Sequence, residues 1–206
     1  MPGSSYTLID VLRHGEPVGG RRYRGQTDDP LSAKGWAQMR AATAGGRSWT
    51  GLVSSPLARC RDFAEELAAQ TGLPLRIDAR LAEVGFGVWE GKTQDQLKAE
   101  DPDCVFNFKS DPVACRPDGA EPLDAFYERV SAAFQDILVA QAGGHPLVIA
   151  HAGVIRMVIC RVLGLAPAHA YRIQVGSAAL ARFRIERRGD RSHAALLHLT
   201  PGISIG

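Results

Sequence analysis

Short runs of consecutive apolar residues alternate along the chain with longer stretches whose apolar positions recur every three or four residues. That rhythm predicts strands alternating with helices. Leu8-Ile9-Asp10-Val11-Leu12, Gly51-Leu52-Val53-Ser54, Leu75-Arg76-Ile77 and Pro146-Leu147-Val148-Ile149-Ala150 read as strands. One helix is predicted from Leu31-Ser32 to near Gly45-Gly46, with Ser32 as N-cap and Leu31 stapled onto Trp36. A second starts at Ser55-Pro56, with Ser55 as N-cap and Pro56 at its first position, and closes at Gly72. Its core face is Cys60, Phe63, Ala64, Leu67 and Ala68. The stripe Leu123, Phe126, Tyr127, Val130, Phe134, Ile137, Leu138 predicts a third, ended by Gly143-Gly144, and a fourth runs from Val154 to Leu163. Thr93 with Gln96 forms a capping box for one more. The tail reads as a hairpin, Ala178 to Ile185 and Ala194 to Leu199, turning at Arg188-Gly189-Asp190. Strand–helix–strand order favours parallel pairing, so the expected class is α/β: one domain over residues 1–206, a three-layer α/β/α sandwich around a mostly parallel sheet.

Two stretches break the rhythm. Residues 80–92 are too rich in glycine for a regular element and read as a functional loop. Between Asp101 and Pro122 the prolines at 102, 112, 117 and 122 leave no clear period. With the short helix before it, this gives a lid-like insertion at about 93–122. It is read as a lid or wall over a site, with an inert insertion as the alternative.

The chain has 206 residues, 45% of them apolar, enough for one substantial core. Lys plus Arg number 24 and Asp plus Glu 22, a net charge of +2, which argues against a general nucleic-acid surface. The basic residues are mostly arginine and several adjoin motif positions, so a small anion is the expected ligand. Cys60, Cys104, Cys115 and Cys160 match no zinc spacing and read as reduced thiols. No signal peptide and no membrane-length apolar run is recognised, so a soluble cytoplasmic protein is expected, with no nucleic-acid or membrane partner. A homodimer stays open.

The chemistry gathers at strand ends. Leu12-Arg13-His14-Gly15 and Ala150-His151-Ala152-Gly153 each put a histidine after an apolar strand, at the edge where open α/β sheets keep their sites. Gly15 is expected to allow close approach to a ligand or a positive φ. Arg13 offers a planar fork of donors, and Arg59 arrives from a third strand–helix junction. The helix after His151 adds N–H groups that attract anions. Gathering this much positive charge without an anion is costly, so phosphate is the expected partner. A lone histidine at a strand end is commonly an ordinary hydrogen-bonded residue. It is the convergence of four groups that points to chemistry.

These features resemble the histidine phosphatase superfamily, also called phosphoglycerate mutase-like. The resemblance rests on Arg13-His14-Gly15-Glu16, Thr27-Asp28-Asp29-Pro30-Leu31-Ser32 with Lys34-Gly35, Ser54-Ser55-Pro56-Leu57-Ala58-Arg59, Glu83 ahead of Gly87-Val88-Trp89-Glu90-Gly91, and His151-Ala152-Gly153. It implies the phosphoglycerate mutase-like fold and a phosphomonoesterase acting through a phosphohistidine, without metal or cofactor. His14 would be the nucleophile, its other nitrogen held by a backbone carbonyl for which Gly15 is the candidate. Arg13, Arg59 and His151 would bind the phosphoryl oxygens. Glu83 would be the general acid and base, with Glu16 and Glu90 as alternatives. Tyr23, Arg24, Gly25 and Ala152 are further candidate substrate contacts, Tyr23 and Arg24 reading equally well as solvated loop residues. Trp36 and Trp89 read as packing.

Within the family the nearest likeness is to the alpha-ribazole phosphatases of cobalamin biosynthesis, through Ser55-Pro56-Leu57-Ala58-Arg59-Cys60, Phe86-Gly87-Val88-Trp89-Glu90-Gly91 and Asp118-Gly119-Ala120-Glu121. The implied substrate is a nucleotide-like 5′-phosphomonoester. Pro17 and Pro122 depart from the family pattern and put substrate contacts in doubt. A broad-specificity sugar or nucleotide phosphatase is the alternative, then a phosphoglycerate mutase. A phosphate-binding module without turnover is the rival of another class.

Overall fold

Strands β1 (Tyr6–Arg13), β2 (Gly51–Ser54), β3 (Leu75–Ile77), β4 (Pro146–Ala150), β5 (Leu180–Arg188) and β6 (Arg191–Leu199) form one sheet in the order β3-β2-β4-β1-β5-β6. The structure is a computed structural model and describes residues 6–45, 48–189 and 191–205. The pairs β2–β3, β2–β4 and β1–β4 are parallel, whereas β5 pairs antiparallel with both β1 and β6. The helices are α1 (Ala33–Thr43), α2 (Ala58–Thr71), α3 (Gln94–Glu100), α4 (Cys104–Ser110), α5 (Leu123–Ala140) and α6 (Ala152–Leu163). Period-two alternation splits the strand side chains between two cores. Val148 and Ala150 face a cluster shared with α5 and α6, while Leu147 and Ile149 face one shared with α1 and α2. This is the expected three-layer α/β/α arrangement.

The local expectations hold at Ser32, whose side chain takes the Gly35 N–H, at the Thr93–Gln96 capping box, and at Gly72, a left-handed C-cap. Other boundaries differ. The second helix begins at Ala58, and its N-cap position is Leu57, with no cap from its own side chain. The Ser55 hydroxyl lies instead 2.7 Å from His151 Nε2, and the chain stays extended through Leu57. The Asp28 carboxylate, from a distant loop, takes the Ala58 N–H at 2.6 Å and caps the helix in its place. The stretch 101–122 contains one regular element, α4, which ends at Ser110 before Pro112. The fourth predicted helix starts two residues early, at Ala152, and the hairpin starts at Leu180 because Ala178 has a φ of 54°. Gly46 and Asp190, named at two predicted ends, lie outside the described residues. No helix among the described residues is long and apolar enough to cross a membrane.

The middle of strand β1, apart from His14 and His151, holds a buried carboxylate, Asp10. Arg182 donates to Asp10 through Nε at 2.7 Å and Nη2 at 2.8 Å, Trp49 Nε1 donates at 2.9 Å, and His145 lies 3.1 Å away. Burial pushes the Asp10 pKa up, but its hydrogen bonds with Arg182 and Trp49 reverse that and hold it below the ordinary value. A carboxyl with a depressed folded pKa stabilises the fold above its unfolded pKa and loses that contribution as pH falls through the folded value. Asp10→Asn should therefore cost about 3 kcal/mol in urea unfolding at pH 7 and much less near pH 2. Equal losses at both pH values would contradict the charged role.

Candidate active site

Parallel pairing of β1 with β4 sets Arg13 beside Ala150, so the residues that follow, His14 and His151, leave the sheet at one edge. The His14 N–H donates to the Ala150 carbonyl at 2.9 Å, and the two imidazoles meet edge to face with centroids 5.2 Å apart. Strand β2, on the other side of β4, delivers Ser55 and then Arg59 to the same edge.

His14 Nδ1 lies 2.7 Å from the Gly15 carbonyl. A carbonyl only accepts, so Nδ1 carries the proton and Nε2 the lone pair. Burial pushes the His14 pKa well below its ordinary value, and the charges of Arg13 and Arg59 push it further. The imidazole is neutral at pH 7, as a nucleophile must be. Gly15 earns its place differently from the sequence expectation. Its φ is not positive, and the close approach is to a backbone, for a Cβ there would sit 2.2 Å from the Gly35 carbonyl.

His151 is fully buried, with Nε2 against the Ser55 hydroxyl. Burial, then the charges of Arg59, His14 and Arg13, lower its pKa well below the ordinary value. The Cys60 sulfur lies 3.7 Å from His151 Nε2, but its S–H donates to the Ala150 carbonyl and burial pushes the thiol up, so no thiolate forms at pH 7.

Arg13 lines the cavity and donates from Nη1 to the Val175 carbonyl at 2.8 Å. Burial and the nearby Arg156 lower its pKa to about 10, so it stays charged. Arg59 is 1% exposed, which removes the surface-residue alternative. Its Nη1 and Nη2 each donate at 2.7 Å, to the Thr27 and Gly25 carbonyls. The Nε atoms of both arginines are buried without a hydrogen-bond partner among the described residues. A phosphoryl oxygen is the acceptor such donors call for.

Glu83 lines the cavity, its carboxylate accepting from the N–H groups of Val84 at 3.0 Å and Gly153 at 3.2 Å. Gly153 leaves room for this carboxylate, since a Cβ there would crowd Glu83 Oε1 and displace it from the N–H. The first turn of α6 therefore spends this N–H on Glu83, where the sequence suggested it was free for an anion. Arg129 braces the same loop, donating to the carbonyls of Arg80, Ala82 and Glu83 while Glu121 pairs with it at 2.6 Å. Of the alternative acids, Glu90 gathers the N–H groups of Gln26, Thr27 and Phe86 and is a loop organiser, whereas Glu16 lines the cavity.

The cavity, about 500 Å³, is also lined by Tyr23, Arg24 and Ala152. Arg24 is paired with Asp29 at 2.8 Å. Gly25 does not line it; that glycine lies beneath, its carbonyl on Arg59 and its φ of 53° against Glu90. Trp36 and Trp89 pack in the cores, as expected. Gln94 and Lys109, from α3 and α4, place the 93–122 segment in the wall. Sequence reasoning missed Arg156, Tyr171 and Lys109. Arg156 was within reach of it, since residues 152 and 156 share one face of the helix that His151 opens. No group of three or more metal-ligating side chains converges among the described residues.

Comparison with known proteins adds ancestry to this geometry. The family model for the histidine phosphatase superfamily (branch 1) matches residues 9–196. A "Probable phosphoglycerate mutase GpmB" of Citrobacter koseri is 32% identical over 205 residues, covering 90% of this chain and 94% of that protein. The solved structure of a mycobacterial glucosyl-3-phosphoglycerate phosphatase superposes with a TM-score of 0.82 at 28% identity, covering 93% of this chain and 97% of the other. A "putative alpha-ribazole-5'-P phosphatase" of Escherichia coli superposes at 0.78 with 25% identity, covering 97% and 99%.

The buried imidazoles make a pH prediction. The fold keeps both neutral while the unfolded chain protonates them below about pH 6.5, so stability is full above that value and falls as pH drops below it. Each imidazole contributes up to about 1.4 kcal/mol per pH unit. The urea midpoint should be lower at pH 5 than at pH 7.5, and the double variant His14→Asn, His151→Asn should lose most of that difference. An unchanged difference would show that these imidazoles are not held neutral.

Proposed function

The chain belongs to the histidine phosphatase superfamily, and from that premise we propose that it is a phosphoric monoester hydrolase working through a phosphohistidine at His14. The observation that carries the reading is the Nδ1–H bond to the Gly15 carbonyl, which leaves a neutral Nε2 lone pair at the cavity. In the first step Nε2 attacks phosphorus and the P–O bond to the alcohol breaks. Glu83, protonated at that stage, gives its proton to the departing oxygen. In the second step Glu83 takes a proton from water as the water oxygen attacks the phosphohistidine, releasing phosphate and restoring His14. Arg13, Arg59 and His151 hold the phosphoryl oxygens as charge spreads over them. No step requires a metal.

The substrate that the motifs favour is alpha-ribazole 5′-phosphate, with the protein serving cobalamin biosynthesis. The aromatic side chains of Tyr23, Phe86 and Tyr171 on the cavity wall support a nucleoside-like leaving group. A broad phosphatase of the same mechanism, a mutase and a binding module without turnover are separated from it by one experiment. Phosphate release is measured in excess EDTA from alpha-ribazole 5′-phosphate, sugar phosphates, 3-phosphoglycerate and nitrophenyl phosphate. Preference for the ribazole ester supports that reading, and even rates support the broad phosphatase. Conversion of 3-phosphoglycerate to its 2-isomer without phosphate release supports the mutase. No turnover by folded protein overturns the hydrolase. Glu83→Gln should slow alkyl esters by roughly 10²-fold or more and nitrophenyl phosphate far less, because nitrophenolate leaves without a proton. Equal losses would remove Glu83 from the acid role.

A further inference from the structure

The peptide that joins Gly15 to Glu16 is held at both ends. Its carbonyl accepts from His14 Nδ1 at 2.7 Å, and its N–H donates to Gln38 Oε1 at 2.8 Å. A trans peptide is planar, with its C=O and N–H pointing in opposite directions. Whatever aims the N–H therefore aims the carbonyl.

The side chain that does the aiming is itself fixed. Gln38 follows Gly35 by three residues on the buried face of α1 and is 4% exposed. Its Nε2 donates at 2.8 Å to the carbonyl of Ile203, in the segment after β6. A backbone N–H only donates and a carbonyl only accepts, so these two partners leave one orientation for the amide. The same helix end grips the other side of the turn, for the Glu16 carbonyl accepts from the Ser32 N–H and from its hydroxyl, each at 2.9 Å. The Ile203 carbonyl, the Gln38 amide, the Gly15–Glu16 peptide and the His14 imidazole thus form one directed series. Each hydrogen bond in such a series polarises the next, so the Gly15 carbonyl is a stronger acceptor than it would be with its N–H unpaired. Gln38 does not line the cavity.

We propose that Gln38 is a positioning residue for the nucleophile, orienting the Gly15–Glu16 peptide so that its carbonyl keeps the proton on His14 Nδ1 and the lone pair on Nε2. The inference rests on the phosphohistidine reading of this site and adds to it a group that touches neither substrate nor phosphoryl oxygen.

Two variants and one spectrum test it. Gln38→Met keeps the length of the side chain and removes both hydrogen bonds. Gln38→Glu keeps an acceptor for the Glu16 N–H, ionised or not. The first chemical step is read as the single-turnover rate of nitrophenolate release from nitrophenyl phosphate, which needs no proton donor. Gln38→Met should lower that rate roughly tenfold, the effect of about one hydrogen bond, while substrate affinity changes less than about twofold. Gln38→Glu should stay within about threefold of the unaltered protein. Nitrogen NMR spectra of isotope-labelled protein read the tautomer, the His14 signals being those lost in His14→Ala. The unaltered protein and Gln38→Glu should show the Nδ1–H tautomer alone, and Gln38→Met a mixture with Nε2–H. A Gln38→Met protein that keeps the rate, or that loses it with His14 still wholly Nδ1–H, overturns the inference and leaves the hydrolase standing. If Gln38→Met does not fold, Gln38→Glu decides: rate and tautomer retained support the inference, and a loss of roughly tenfold overturns it. The tautomer does not depend on turnover. An unaltered protein with His14 as Nδ1–H that hydrolyses no ester overturns the hydrolase, not the role of Gln38 in holding the ring.

Discussion

One hydrogen bond constrains the rest of the site: His14 Nδ1–H to the carbonyl of the next residue, 2.7 Å away. It fixes the tautomer, and burial beside two guanidiniums keeps the ring neutral. On the proposed function, a neutral ring inside a cationic pocket is a nucleophile unreactive toward protons and receptive to a phosphate dianion. The bond depends in turn on the turn after β1, which closes only because Gly15 and Gly35 let two backbones touch. Burial is the larger cause of the depressed pKa of His14 and His151, and the arginine charges that add to it form the positive field that, on the proposed reading, draws the substrate.

Around that centre the structure divides labour between carboxylates. Asp28 caps α2 at the residue before Arg59. Glu90 ties together the loops whose carbonyls receive the Arg59 guanidinium. Glu121 holds Arg129, and Arg129 holds the loop that carries Glu83. These groups shape the cavity without lining it. In the middle of β1 the buried Asp10–Arg182 pair stands apart from the cavity lining, so this carboxylate serves the fold and not the cavity.

Much of this was legible in the sequence. Short, mostly apolar runs in β1, β2 and β4 and a seven-residue apolar stripe in α5 carry the layer order, since strands buried on both faces and one-faced helices admit few arrangements. His14, His151, Arg13 and Arg59 could be placed at one edge because parallel pairing puts equivalent strand ends together. What was not legible depends on contacts distant in sequence. The capping of α2 by Asp28 in place of Ser55 needs a loop thirty residues upstream to fold back. The order in 104–110 hides behind prolines that bound a helix without interrupting it. Gly25, read as a substrate contact, could be known as a seat for Arg59 only once the guanidinium had a direction. Tyr171 lines the cavity while packing on Phe108, the residue before Lys109, and no local period announces that contact.

The central claim is a covalent phosphoryl group on His14 Nε2, and the most direct measurement is to trap it. Protein is mixed with a radiolabelled phosphomonoester it hydrolyses, quenched in alkali within milliseconds, digested, and the labelled peptide sequenced by mass spectrometry. The account predicts a label stable to alkali and labile to acid, on the peptide containing His14, and absent from His14→Ala. Turnover with no labelled histidine, or a label on His151 or any other residue, would contradict it.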